Sequence, residues 1–335
     1  MKLFLAGGRR SWQGKMPKSV ILYLARSSEH DVKDLLRSVT LLGRNFLRRF
    51  PYPVIVFVEK DFKDEWKELV IKKSRVNCRF ETIQFEVPEF LADRKFPEFV
   101  LEPKFTMGYR HMCRFFSGAV YSEPSLKDFD WYWRLDTDSF ILKPVKYDLF
   151  RFMQDKGLQY GYTFITHDSP VVTKGLWELT QKFMRQNNVN ADGLNPFLDA
   201  ESNWDLSIYY TNFEIASFDF WRSKEFQSYF DMIDRSGGIY EHRWGDTPIH
   251  LLAVSMFLPE AQKHCFTDIH YQHQGFIVDP NKNKWYRRFI RRVLLYEAPR
   301  FDPLSVLHYV RNLYGTRVKP PVRKMAALFK RRSNV

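Results

Sequence analysis

Apolar residues change their spacing several times along the chain, and each change marks an element. Ser19–Arg26 (SVILYLAR) and Pro53–Glu59 (PVIVFVE) are short, nearly unbroken apolar runs, the pattern of strands buried on both faces of a parallel sheet. Between them Ser28, with Asp31 three residues on, offers a helix cap, and Val32, Leu35, Leu36, Val39 and Phe46 follow at helical spacing. Asp61–Ile71 predicts a second helix and Arg79–Phe85 a third strand. The succession β-α-β-α-β predicts an open α/β sheet with parallel strands. Glu86–Pro103, rich in Pro, Phe and acids, predicts an irregular connection. Helical spacing returns at Thr106–Tyr121, Lys174–Asn187, Ser223–Arg235 and Asp246–Leu258. The third of these stops at Gly237-Gly238, and the fourth carries Pro248 in its first turn. Phe129–Leu135 and Gln159–Thr166 are strand-like, and Asn188–Asp205 predicts a polar loop.

Composition narrows the classes. With 335 residues, 44% of them hydrophobic, the chain can bury a large core, which excludes disorder for most of it. No window approaches the ~20 apolar residues of a membrane span, and Met1–Arg10 has too short an apolar run for a signal peptide. A soluble protein is expected. The net charge of +13 suggests a polyanion partner until it is located. Residues 280–296 carry six Lys/Arg and no acid, residues 315–335 carry seven and no acid, and the remainder balances. The body is neutral, which argues against a fold built to hold nucleic acid. Cys78, Cys113 and Cys265 lie far apart with no CxxC pair, against a zinc knuckle or a dense disulfide framework, though one disulfide stays open. Neither GxGxxG nor GxxxxGK[ST] occurs, and there is no N-x-[ST] sequon.

The chemistry concentrates in Trp131-Tyr132-Trp133-Arg134-Leu135-Asp136-Thr137-Asp138. Two carboxylates two residues apart, just past a strand, project at the carboxyl end of a sheet, where α/β folds bind ligands. Such a pair suits a divalent ion shared with the phosphates of a nucleotide; the plain alternative is a solvated turn. Glu214, in Asn212-Phe213-Glu214-Ile215, is an acid among apolar neighbours: either a poised catalytic group or a structural acid paired with an arginine such as Arg222. Asp246, ahead of Pro248, fits a helix N-cap, and His250 on the same helix fits the core. His270 and His273, with His264 upstream, suit either a metal or an ordinary polar surface.

Six stretches in order resemble one family: Tyr109–Arg114 (YRHMCR), Tyr132–Arg134 before the acidic pair, Asn212–Ile215, Phe220–Ser223 (FWRS), Gly237–Tyr240 (GGIY) and Arg243–Pro248 (RWGDTP). The family is glycosyltransferase family 15, the retaining α-1,2-mannosyltransferases of fungal glycan elongation, and the close match spans about residues 97–280. The resemblance implies a GT-A fold: an open, mixed but mostly parallel sheet flanked by helices, a Rossmann-like nucleotide-sugar domain. It implies GDP-mannose as donor, a mannoside or glycan as acceptor and Mn²⁺ as metal. Carried over by position, Asp136, Asp138 and His273 hold the metal. Tyr109 lies near the donor phosphates, and Arg110, Arg134 and Asp136 complete the donor-binding set. Glu214 is the acid beside the anomeric carbon and Asp246 a second active-site acid. Asp-Thr-Asp stands where the family has Glu-Pro-Asp, which keeps both carboxylates and shortens the first.

Residues 1–300 are expected to form one domain, with a nucleotide-binding half at about 18–140, an acceptor half at about 141–280 and a basic tail at 301–335. In Trp285–Tyr296 (WYRRFIRRVLLY) an apolar stripe alternates with arginines at a four-residue step, which suits an anionic membrane surface or an ordinary terminal helix. The family's membrane anchor and stem are not recognisable in this sequence; the resemblance implies Golgi or secretory membrane association, with a cytoplasmic enzyme as the other expectation. Two rivals stay in view: a transferase using another nucleotide sugar, and a basic membrane- or nucleic-acid-binding protein that works through its C-terminal charge.

Overall fold

The computed structural model describes residues 17–101, 104–274 and 276–278. The amphipathic segment 285–296 and the tail 301–335 lie outside the described residues. In chain order the first elements are β1 (Ser19–Ala25), α1 (Glu29–Leu42), β2 (Val54–Val58), α2 (Asp64–Ser74) and β3 (Cys78–Thr82). The β-α-β-α-β unit is thus present, with β1 parallel to β2 and β2 parallel to β3. The Ser28 hydroxyl accepts from Asp31 N at 3.2 Å and caps α1 as the sequence suggests.

The chain continues with α3 (Met107–Ser117), β4 (Trp131–Leu135), β5 (Ser139–Ile141), α4 (Leu149–Asp155), β6 (Tyr160–Tyr162), β7 (Ile165–His167) and α5 (Leu176–Asn187). It ends with β8 (Ser207–Tyr209), β9 (Phe213–Ser217), α6 (Phe218–Trp221), α7 (Lys224–Ser236), α8 (Gly238–His242), α9 (Asp246–Phe257), β10 (Lys263–Cys265), β11 (Tyr271–His273) and β12 (Phe276–Val278). The main sheet has seven strands in the order β10-β6-β9-β4-β1-β2-β3. All neighbours are parallel except β9, which runs against both β4 and β6. β12, β11 and β5 form a second antiparallel sheet, and β7 pairs with β8 alone.

Side-chain alternation splits the core in two. Ile21, Tyr23, Val56, Trp133, Leu135, Phe213 and Ile215 face α1 and α4. Val20, Leu22, Phe57, Tyr132 and Ala216 face the layer that carries α3, α7 and α9. Each fully buried side chain contributes roughly 1.5–3 kcal/mol, so both layers are needed to offset chain entropy.

Several elements differ from the sequence reading. The helix expected at Thr106–Tyr121 starts one residue later, with Thr106 as cap, and breaks at Gly118, where a Cβ would strike the Phe230 ring. The strand expected at Gln159–Thr166 is two strands in two sheets: Phe266 N donates to Tyr162 O and ends the β6 ladder there. β9, the strand that carries Glu214, had no strand signal. The α4 helix is one of the short pieces that periodicity does not reach; the Asp148 carboxylate caps it. All three cysteines are free, Cys78 and Cys113 being buried on opposite sides of the sheet.

Candidate active site

β4 lies on the opposite side of β1 from β2, so the strand order reverses at β1–β4 and opens a crevice at their carboxyl ends. Asp136 and Asp138 stand in the turn that leaves β4 there. Asp136 N donates to Ser139 Oγ at 3.2 Å, and Ser139 N donates to Asp136 O at 3.0 Å, which fixes the turn. Because β9 is antiparallel, its leading residue Asn212 arrives at the same end, and Asn212 Nδ2 donates to Asp136 Oδ2. Arg134 Nη2 donates to Asp136 Oδ1 at 3.2 Å.

β11 pairs with β5 so that His273 lies opposite Ser139, which carries the imidazole over the turn. His273 Nε2 is 2.8 Å from Asp138 Oδ1 and 3.8 Å from Asp136 Oδ2, and the three ligand atoms lie within 4.8 Å of one another. Its other ring nitrogen is 2.5 Å from the Tyr210 hydroxyl. That contact orients the ring and leaves Nε2 aimed at the carboxylates. Burial pushes the Asp138 carboxyl up, but the hydrogen bond and charge of His273 outweigh it and hold the group below its usual value. Two carboxylates and an oriented imidazole fit a divalent ion of the Mn²⁺ kind. His270, the other member of the pair, is outside this group.

Behind the triad a polar stripe runs into the protein along β4 and β9. Arg134, 3% exposed, pairs with Asp246 and lies over the Phe116 ring at 3.6 Å. Asp246 also accepts from Thr211 Oγ1 at 2.5 Å. It does not cap its helix: Gly245 holds the N-cap position, and the Asp246 carboxylate turns inward to Arg134. Burial raises the Asp246 carboxyl, Arg134 and His250 lower it, and the balance lies below the usual value.

Glu214 is the register partner of Arg134 and is wholly buried. It does not pair with Arg222, whose guanidinium donates instead to the carbonyls of Tyr121, Leu126 and Phe129. The Glu214 carboxylate accepts from Tyr160 at 2.7 Å and Tyr132 at 2.5 Å and meets His250 Nδ1 at 2.7 Å. His250 is buried, as its sequence reading has it, and meets the acid of the matched motif.

Two residues of the expected donor-binding set lie on α3. Tyr109 sits at the start of α3, and its hydroxyl accepts from Arg243 Nη2 at 3.3 Å. Arg110, the next residue of α3, turns to the backbone. Its side chain is fully buried and donates four of its five N–H groups to the carbonyls of Thr106, Pro97, Glu98 and Tyr240, which ties the 86–103 connection to α8. Arg243 and Asp168 form a pair that sequence reasoning did not single out, at 2.9 Å, with Arg243 stacked over Phe105 at 4.5 Å. Arg243 lies in a matched stretch; Asp168 carries no sequence signal. Among the described residues no helix is long and apolar enough to cross a membrane.

Sheet order, switch point and triad together define a GT-A-type glycosyltransferase fold. The model of the glycolipid 2-alpha-mannosyltransferase family matches residues 8–292, and the chain belongs to that family. The glycolipid 2-alpha-mannosyltransferase of Saccharomyces cerevisiae is 34% identical over 273 residues, 78% of this chain; the chain spans 61% of that relative's length. The O-glycoside alpha-1,2-mannosyltransferase omh1 of Schizosaccharomyces pombe is 32% identical, over 80% of this chain and 72% of its own. Among solved structures, core-mannan synthase A (CmsA/Ktr4) from Aspergillus fumigatus in its Mn/GDP form has a TM-score of 0.72 at 29% identity, over 82% of this chain and 79% of its own. The S. cerevisiae mannosyltransferase Ktr4p in complex with GDP has a TM-score of 0.73 at 28% identity, over 79% and 73%.

Proposed function

We propose that the chain is a metal-dependent retaining transferase that moves α-mannose from GDP-mannose to the 2-hydroxyl of a mannoside or glycan acceptor. One observation carries the reading: the Asp136–Asp138–His273 triad at the switch point, in a family whose solved relatives include a Mn/GDP form. Asp136, Asp138 and His273 would hold the ion. When bound, it supplies Lewis-acid neutralisation of the departing diphosphate.

The remaining work falls to this chain's own groups. Arg134 and Asn212 fix the Asp136 carboxylate, and Tyr210 fixes the His273 ring. Tyr109, held by Arg243, is positioned toward the donor phosphates. Glu214 is enclosed and its carboxylate is occupied by three partners, which favours a fixed negative charge behind the anomeric centre over direct attack. Asp246, paired with the same Arg134 that holds Asp136, is the second acid.

Calorimetry with Mn²⁺ and GDP tests the metal set. In Asp138→Asn, GDP binding should become weak and independent of Mn²⁺; wild-type Mn²⁺-dependent affinity would remove Asp138 from the site. A thermal shift with Mn²⁺ should be larger for GDP than for UDP. A larger UDP shift would replace GDP-mannose by another nucleotide sugar.

A further inference from the structure

The groups around Glu214 close a ring. Glu214 Oε2 meets His250 Nδ1 at 2.7 Å, and His250 Nε2 meets the Tyr121 hydroxyl at 3.3 Å. Tyr121 meets the Tyr132 hydroxyl at 3.1 Å, and Tyr132 returns to Glu214 Oε1 at 2.5 Å. Tyr160 adds a fifth contact, to Oε2 at 2.7 Å. Every residue in the ring is buried.

Five contacts need five hydrogens. Three tyrosines bring one each and a neutral imidazole brings one, so a neutral His250 beside an ionised Glu214 leaves one contact empty, and two when Tyr121 turns its hydrogen out of the ring to Phe116 O at 3.4 Å. An imidazolium fills all five in a single direction. Its Nε2–H donates to Tyr121, Tyr121 to Tyr132 and Tyr132 to Oε1, while Nδ1–H and Tyr160 donate to Oε2. Completely satisfied networks are what a buried site favours.

The surroundings decide which side of the 2.7 Å contact keeps the fifth proton. The Trp221 ring lies over the imidazole, centroids 4.3 Å apart, a face that attracts a cation. The charged and titratable neighbours are Arg134 and Tyr132 on β4, Tyr160 on β6, Tyr121 after α3, and Asp246 on α9. Arg134 and Asp246 cancel as a pair. Burial raises the Glu214 carboxyl, yet His250 and then Arg134 outweigh it and hold the group below its usual value.

We propose that His250 is a positioning residue for the transfer reaction: as an imidazolium it closes the ring and keeps Glu214 a fixed, ionised carboxylate beneath the Arg134–Asp246 pair. This rests on the transferase reading above. Two residues along a strand span about 7 Å, so Glu214 lies one layer deeper than Asn212, within electrostatic reach of a cationic centre at the triad. A charge so placed acts only if it cannot be neutralised, and His250 is the group that prevents that.

The first test needs no variant. In ¹⁵N-histidine-labelled wild-type protein at neutral pH, without ligands, His250, assigned through its contacts with Trp221, should carry hydrogen on both ring nitrogens. A singly protonated ring would overturn the proposal. The second test is His250→Asn, which keeps a donor near Nδ1 without the charge. It should lower kcat roughly 10- to 100-fold, the range seen when a partner that orients a functional group is removed. Affinity for Mn²⁺ and GDP should be unchanged, and the acid limb of the kcat profile should move to higher pH. In a Glu214→Gln background the same change should add little. Normal kcat and pH profile in folded His250→Asn, or full additivity with Glu214→Gln, would also overturn it. A chain that turns over no nucleotide sugar would sink the transferase reading instead, while the spectrum still decides the charge on His250.

Discussion

The two faces of β4 and β9 do different work, though their residues alternate in one sequence. Trp131, Trp133, Leu135, Phe213 and Ile215 point to the layer of α1 and α4 and belong to its apolar core. Tyr132, Arg134, Asp136, Asn212 and Glu214 point the other way and form a graded stripe, from a carboxylate 27% exposed at Asp136 to one wholly enclosed at Glu214. Period-two geometry lets two adjacent strands anchor a core and carry a site at once. Residues i and i+1 should therefore fail in different ways when changed.

The sharpest test of that division is Trp133→Ala. The ring is fully buried and packs edge-on against Phe46 and Phe213 at 5.1 Å. Its loss should cost about 3–5 kcal/mol of stability, read as an earlier midpoint in urea. The protein that stays folded should bind Mn²⁺ and GDP normally. A weakened site in folded protein would show that the faces are coupled.

On the other face, beside the register partner of Trp133, Glu214→Gln should act the opposite way. It keeps shape and hydrogen bonding but loses the charge, so kcat should fall by ~10²-fold or more if a strong electrostatic contact is removed. GDP affinity should barely move, because the triad holds the diphosphate. Turnover and GDP binding measured on one folded preparation decide the matter. Turnover within a few-fold of wild type would take Glu214 out of the mechanism and leave Asp246 to be examined next.

Between these two lies the pair that walls the stripe. Arg134→Met leaves Asp246 buried without its partner, a change that costs about 3–5 kcal/mol when the remaining charge is uncompensated. Asp246→Asn with Arg134→Met removes both charges, and the double variant should regain part of that stability. Thermal melts of the three proteins measure it; a double variant as unstable as the sum of the singles would show that the pair is not one unit.

What the sequence made legible follows from where its signals come from. β1 and β2 could be read because both their faces are buried, so SVILYLAR and PVIVFVE are apolar almost throughout. The acidic pair could be read because it directly follows the apolar face of β4. β9 could not: Asn212, Glu214 and Ser217 interrupt its apolar pattern, and each is explained only by its partners. These are Asp136 in the turn after β4 for Asn212, Tyr132, Tyr160 and His250 on β4, β6 and α9 for Glu214, and the first turn of α6 for Ser217. The choice of His273 over His270 and His264 came from the family resemblance, since the backbone pairing of β11 with β5 has no local signature. Arg110, in the same matched stretch as Tyr109, turned out to serve the backbone, because a motif match does not distinguish a residue that holds a ligand from one that holds a loop.

The smallest predicted effect separates the stripe from the far side of α3. His111 stacks on Phe85 with centroids 5.7 Å apart, and its Nδ1 meets the Tyr240 hydroxyl at 3.0 Å. Burial, then the nearby charges of Arg114 and Arg110, push it down from 6.5 to about 4. The unfolded chain therefore takes up this proton first as the pH falls. The contribution of His111 to stability is complete above about 6.5, declines as the pH drops toward 4, and is gone below it. His167 and His264 are lowered too, by burial, but they are common to the wild type and a variant at 111 and cancel in the difference. His111→Phe, which cannot take a proton, should flatten part of that decline: urea midpoints of the two proteins should diverge between pH 7 and pH 4.5, with the variant losing less. Parallel midpoints would mean that His111 takes up its proton at the same pH in the folded and the unfolded chain. Mn²⁺-dependent GDP affinity, measured at pH 7 in the same variant, should match wild type, because this ring belongs to the α3 surface and touches no residue of the stripe.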